Sequence, residues 1–245
     1  METSEDNHDY RNSHMQSGSN YDSNLAGSAF DNYMAVWEKK HLQQILKTSF
    51  PSGIGKYLDF ACGTGRITEQ IAPSAHQSTA VDISPTMLAE ARKKCPNTNF
   101  YLGDITTNDP DLGQFDLISS FRFFGNAQDE LRHAALSSIC KRLAPDGKLL
   151  INSHRNPRAI YALLNRLTGG NAGQMDLHLG KLRQLLARHG LRITLLQPIG
   201  VWLYRASLME NCQPNDPRSV RNEAKFANKH LAAIAPDLII VAQWR

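Results

Sequence analysis

The feature that most constrains this chain is an alternation: from residue 56 onward, short apolar runs and helical stretches succeed one another at a spacing of about 22 residues. Lys56–Ala61, Ser78–Asp82, Thr98–Gly103, Phe115–Phe121 and Lys148–Ser153 read as five strands, with Leu191–Gln197 and Leu238–Val241 as two more. The segments between them carry helix signals. One helix follows the glycine turn after the first strand and runs to near Pro73. Ser84 caps the next, with Pro85 at its first position, where a missing N–H costs nothing. Leu131, Ala135, Ile139 and Leu143 line one face of a longer helix, expected to stop at Pro145-Asp-Gly147. A further helix covers roughly 178–189 and ends on Gly190, a residue suited to a left-handed cap. Such alternation implies an α/β fold with a parallel, doubly wound sheet, because right-handed crossovers lay helices on both faces. The ligand of such a sheet sits at the carboxyl ends of the strands, where strand order reverses.

The rest of the chain is arranged around that unit. Phe30, Met34, Trp37, His41 and Ile45 recur at helical spacing, so residues 27–47 form an amphipathic helix, broken by Pro51, Gly53 and Gly55. Residues 1–25 are polar and are expected to be a disordered tail; 26–245 is expected to be a single domain. A length of 245 residues suits one α/β domain with insertions and is short for two. Two segments leave the regular scheme: 155–177, with Gly169-Gly-Asn-Ala-Gly173, and 203–236. Both are candidates for a lid or an acceptor platform.

Composition excludes some classes. No apolar run approaches the roughly 20 residues of a membrane span. The N-terminus lacks the basic start and apolar stretch of a secretory signal, so the expected location is the cytoplasm. Cys62, Cys95, Cys140 and Cys212 are widely spaced, form no C-x-x-C pair and share no ligand spacing with the histidines. They are expected to be reduced, mostly buried thiols, and no metal site is expected. From His154 to the end, thirteen Lys and Arg face five Asp and Glu, a balance of +8. That asymmetry would suit an anionic acceptor or a nucleic acid, or be a solvated basic face.

The strongest chemical signal lies where the first strand meets the first helix: Leu58-Asp59-Phe60-Ala61-Cys62-Gly63-Thr64-Gly65-Arg66. Small residues at 61, 63 and 65 let a ligand approach the backbone, and the helix N-terminus behind them offers N–H groups to a carboxylate. Asp82 ends the second strand, placed for its carboxylate to take both ribose hydroxyls of a nucleoside. Gly103-Asp104-Ile105 ends the third, where a carboxylate can accept from an adenine amino group. Three acidic residues ending three successive strands would be an odd way to build a core.

In that order, Asp59-x-Ala-Cys-Gly-Thr-Gly65, Val81-Asp82-Ile-Ser-x-x-Met87-Leu and Gly103-Asp104-Ile105 resemble the cofactor motifs of class I (Rossmann-like) S-adenosylmethionine-dependent methyltransferases. Leu143-Ala-Pro-Asp-Gly147-Lys-Leu-Leu resembles that family's entry into its fifth strand. The resemblance covers about residues 27–155, with a fainter continuation through His178–Leu196 and the terminal strand. It implies a mostly parallel seven-stranded sheet whose last strand is antiparallel, and S-adenosylmethionine as cofactor. It also implies roles: Asp59 supports the turn, and Ala61, Cys62, Gly63 and Gly65 face the methionine moiety. Asp82 binds the ribose, Ile83 and Met87 flank the adenine, Gly103, Asp104 and Ile105 hold its edge, and Phe121 lies beside the sulfur. Phe121-Arg122-Phe123-Phe124-Gly-Asn126-Ala and Asn152-Ser-His154-Arg-Asn156 look like bacterial members found near sugar- and lipid-modifying enzymes.

The expected reaction is therefore methyl transfer to a small-molecule, sugar or lipid-linked acceptor, at oxygen. His154, ending the fifth strand, is the candidate general base, and Arg122 the candidate for orienting an anionic group. His178 is a second histidine at the same edge. A nicotinamide dehydrogenase would need G-x-G-x-x-G, and Thr68 stands where its third glycine belongs. A nucleic-acid methylase is the second alternative. Ser119-Ser120-Phe121-Arg122 lacks the proline-rich loop of the amino-group methylases, and no basic stretch is interleaved with base-stacking aromatics. A non-catalytic cofactor-binding module is the third.

Overall fold

The computed structural model describes Tyr10, residues 28–167 and residues 177–245. Apart from Tyr10, the polar tail lies outside the described residues, as does the glycine-rich part of the 155–177 segment.

Seven strands form one sheet: β1 (Ile54–Phe60), β2 (Ala75–Asp82), β3 (Asn99–Leu102), β4 (Phe115–Ser120), β5 (Leu143–His154), β6 (Leu191–Ile199) and β7 (Asp237–Trp244). Their order is β3-β2-β1-β4-β5-β7-β6. All run parallel except β7, which is antiparallel to both β5 and β6, as the resemblance implies. Strand order reverses between β1 and β4, so the ends of those two strands, Phe60 and Ser120, border the crevice where ligands of this architecture bind.

Side chains alternate across the sheet and divide the core in two. Leu117, Leu150, Ile239 and Val241 point to one face, where α1 (Ala29–Ser49) covers them with Tyr33, Trp37, Leu42 and Ile45. Ile118, Leu149, Ile151 and Ile240 point to the other, against α4 (Asp129–Arg142) and α6 (Leu179–Arg188). α1 starts where Ser28 accepts the N–H of Asp31, satisfying one of its orphan donors. The 203–236 segment holds α7 (Ala206–Glu210), α8 (Pro217–Phe226) and a 3₁₀ turn, and Leu208, Met209, Cys212 and Phe226 extend the α1 layer. Of the 155–177 segment, α5 (Ile160–Leu167) is described.

Two local expectations need correction. The glycine turn runs on to Ile67, and α2 (Thr68–Ile71) is a single turn continued by a 3₁₀ turn through Pro73. Donors beside the crevice therefore belong to the turn itself, not to a long helix. β5 begins at Leu143, directly after α4, rather than at Lys148, and its pairing with β4 shifts register between Phe115 and Leu117. Gly147 explains that irregularity: a Cβ there would lie 2.9 Å from the carbonyl oxygens of both Ala144 and Phe115. Pro145-Asp-Gly147 is a bulge inside a strand, not the loop before one.

Candidate functional site

Residues 61–67 bend sharply because Ala61 adopts φ +56°, costly for a residue with a Cβ and typical of over-determined functional turns. The turn is locked from both sides. Cys62 donates its N–H to the Val81 carbonyl at 3.0 Å, and Gly65 donates to Cys62 at 3.0 Å. Asp59 braces it from below: Ser119 donates to one carboxylate oxygen and Thr68 to the other, each at 2.6 Å. Burial pushes the Asp59 carboxyl up to about 6, partly offset by those two hydroxyl donors. Gly65 adopts φ +79°, and a Cβ there would sit 3.0 Å from that of Ala91, so it lets α3 (Pro85–Lys94) close onto the turn.

The neighbouring strand ends supply the polar edge. Asp82 accepts the Gly63 N–H at 2.7 Å with one oxygen and the Ser84 N–H at 2.9 Å with the other, which fixes its carboxylate at the mouth of the crevice. Asp104 uses Oδ1 for the backbone and hydroxyl of Thr106, at 2.8 and 2.6 Å. Apolar walls complete the cavity: Met87 and Ile83 follow β2, Ile105 follows β3, and Phe121 and Phe123 follow β4.

Eleven of the twelve residues assigned to the cofactor line this one cavity: Asp59, Ala61, Cys62, Gly63, Asp82, Ile83, Met87, Gly103, Asp104, Ile105 and Phe121. Gly65 lies behind it, against Ala91. Arg122 lines the cavity at φ +59°, its N–H held by Asn152 Oδ1 at 2.6 Å and its Nε buried without a hydrogen-bond partner among the described residues. His154 does not line it. Its imidazole Nδ1 lies 3.2 Å from Asp237 on β7, both groups being buried at the carboxyl edge. His178 has a structural role, its Nδ1 accepting from Gly180 and Lys181 to cap α6.

Thr64, within the glycine turn, also lines the cavity, as do residues missed in the sequence, among them Arg66, Thr106, Leu131 and Tyr10. Arg66 directly follows the glycine motif and was legible as a neighbour of it. Tyr10 was not legible. It sits in a polar stretch with no periodicity, yet its ring packs edge-on against Phe123 and its hydroxyl donates to the Arg122 carbonyl at 3.3 Å.

An adenosine nucleoside with an amino-acid tail fits this arrangement: carboxylates for the hydroxyl and amino groups, apolar flanks for a ring, and a small-residue turn for the tail. Among the described residues no group of three or more His, Cys, Asp or Glu could hold a metal ion, and all four cysteines are free. No helix of the described residues is long and apolar enough to cross a membrane.

Comparison with known proteins agrees with that geometry. A methyltransferase domain profile matches residues 58–147. The chain is 31% identical over 135 residues to a magnesium-protoporphyrin O-methyltransferase of Rhodobacter capsulatus, covering 46% of this chain and 59% of that protein. It thus spans less than two thirds of that relative's length. Its fold is similar to magnesium protoporphyrin IX methyltransferase of Synechocystis PCC 6803 with bound S-adenosylhomocysteine, at a TM-score of 0.61, 13% identity and coverage of 96% and 92%. The N-methyltransferase NodS of Bradyrhizobium japonicum, with the same ligand, gives a TM-score of 0.55 at 18% identity, covering 89% of each chain. Fold, motif order and domain match agree: residues 58–147 match a methyltransferase domain, set in a fold similar to that of class I, Rossmann-like S-adenosylmethionine-dependent methyltransferases.

Proposed function

We propose that this protein transfers the methyl group of S-adenosylmethionine to a small-molecule, sugar or lipid-linked acceptor, at an oxygen atom, by in-line displacement. The observation that carries the reading is the convergence of the ends of β1, β2 and β3, with Asp59, Asp82 and Asp104, on one cavity beside the glycine turn. The cofactor supplies an activated sulfonium methyl. The protein's own contribution is alignment of the acceptor on the sulfur–carbon axis, worth up to about 7–11 kcal/mol in favourable cases. An anionic acceptor is favoured by Arg122, which lines the cavity and whose buried Nε lacks a partner among the described residues. Similarity to an O-methyltransferase acting on a porphyrin supports a small organic acceptor.

His154 is the proposed base. Asp237 beside Nδ1 favours the tautomer that carries a proton there and leaves the lone pair on Nε2, the form that can take a hydroxyl proton. In that role His154 would hold the acceptor's proton on its imidazole once the oxygen has taken the methyl group that bound S-adenosylmethionine would supply. Transfer of labelled methyl to a panel of sugars, nucleotide sugars, lipids, porphyrins and tRNA tests the reading. Labelling of tRNA alone would overturn the small-molecule acceptor. With an acceptor in hand, His154→Ala should leave cofactor affinity intact and lower kcat by about 10²–10⁴-fold. Near-normal turnover would return the His154–Asp237 pair to a purely structural role.

A further inference from the structure

Glu38 is 3% exposed, although it lies on α1 beside the exposed Lys39 and Lys40. A carboxylate is tolerated in such a place only when its charge is matched and its lone pairs are used. The match comes from two other parts of the chain. Oε1 is ion-paired with Nη1 of Arg66, in the glycine turn, and Oε2 lies 3.5 Å from Nδ2 of Asn152, on β5. Asn152, 1% exposed, turns its other end to the Arg122 N–H at 2.6 Å, and Arg122 is held in the left-handed region at φ +59°. Arg66 and Arg122 both line the cavity, whereas Glu38 does not. One buried carboxylate thus fixes a residue on each side of the gap between the β1 and β4 ends, where Ala61–Gly63 face Phe121.

We propose that Glu38 is a positioning residue for the amino-acid end of the cofactor. It holds the Arg66 guanidinium in place to receive the cofactor's α-carboxylate and, through Asn152, sets the Arg122 backbone on the facing wall. A planar guanidinium has five N–H donors and can serve two carboxylates from different edges, so the pair with Glu38 orients Arg66 for a second carboxylate. Without the Glu38 charge, a side chain that is 23% exposed loses the ion pair that sets its direction. A carboxylate that merely fastened α1 to the sheet would act on every adenosine ligand alike. The inference rests on the S-adenosylmethionine reading of the cavity, and its test separates the two.

The experiment is calorimetric titration of the full chain with two ligands. S-adenosylhomocysteine carries the amino-acid end; 5′-deoxy-5′-methylthioadenosine keeps the adenosine and thioether and lacks it. Glu38→Gln preserves shape and removes charge. It should weaken S-adenosylhomocysteine by about ten- to a hundredfold, the loss of a charge-assisted contact, and leave methylthioadenosine unchanged. Arg66→Gln, at a partly exposed position that folding tolerates better, should show the same selective loss. Equal weakening of both ligands, or of neither, in these variants overturns the proposal while leaving the cofactor reading intact. Wild-type protein that binds neither ligand overturns the cofactor reading itself.

Discussion

Asp82 shows how one side chain serves fold and ligand together. Its oxygens accept from Gly63 and Ser84, so the carboxylate that tightens the glycine turn also lines the cavity where the ribose is proposed to bind. Asp82→Ala should weaken S-adenosylhomocysteine by about 1.5–3 kcal/mol per charge-assisted bond lost, roughly ten- to a hundredfold, measured by titration. An unchanged affinity in a folded variant would displace the ribose assignment. Gly65→Ala should behave differently, because the added Cβ meets Ala91 rather than the cavity. Its first effect should be on stability, about 1–3 kcal/mol in a denaturant melt, from a strained φ and an overpacked contact. Both glycine and aspartate were legible in the sequence because each sits in a short motif of consecutive residues at a strand end. Glu38 and Tyr10 were not: each finds its partners across the fold, and local pattern carries no trace of that.

Among the elements, α8 shows why the 203–236 segment is more than a loop. Glu223, 2% exposed, accepts the Gly200 N–H at 2.8 Å and the Tyr33 hydroxyl at 3.0 Å, and Trp202 donates to the same hydroxyl at 2.9 Å. The network fastens α8 to α1 and to the end of β6. Burial pushes the Glu223 carboxyl up to about 7, well above its ordinary 4.5, despite these hydrogen bonds. The sign follows from linkage. Below pH 4.5 the group is protonated folded or unfolded. As pH rises from 4.5 to about 7 the unfolded chain ionises while the core resists, so stability is lost across that window and the loss is complete above it. Glu223→Gln lacks that loss. Its stability relative to wild type should improve by about 2–3 kcal/mol between pH 4 and 8, whatever its offset. A pH-independent difference in thermal melts would show that the carboxyl ionises as readily in the core as in water. Tyr33 and Trp37 are core residues of this layer, and the network with Glu223 and Trp202 holds Tyr33 there.

For the whole molecule, the cavity is assembled from β1, β2, β3 and β4 ends that are far apart in sequence, so a ligand filling it should tie the sheet together. S-adenosylhomocysteine at 100 times its Kd should add about 2.7 kcal/mol and raise Tm by roughly 5–10 °C, whereas NAD should not. A Tm raised by NAD alone would favour the dehydrogenase alternative. The sequence by itself determined the parallel sheet, the switch point and the lining of the cavity, since strand period, glycine turn and strand-end carboxylates are each carried by a few consecutive residues. It did not reveal that Pro145-Asp-Gly147 is a bulge, because only the approach of the Phe115 and Ala144 carbonyls makes that glycine necessary. Nor did it reveal the Glu38–Asn152–Arg122 bracket, the Asp237 partner of His154, or Tyr10 against Phe123. Those pairings span from 30 to 114 residues, and which buried polar group meets which is decided only when desolvation forces each to find a partner in the folded core.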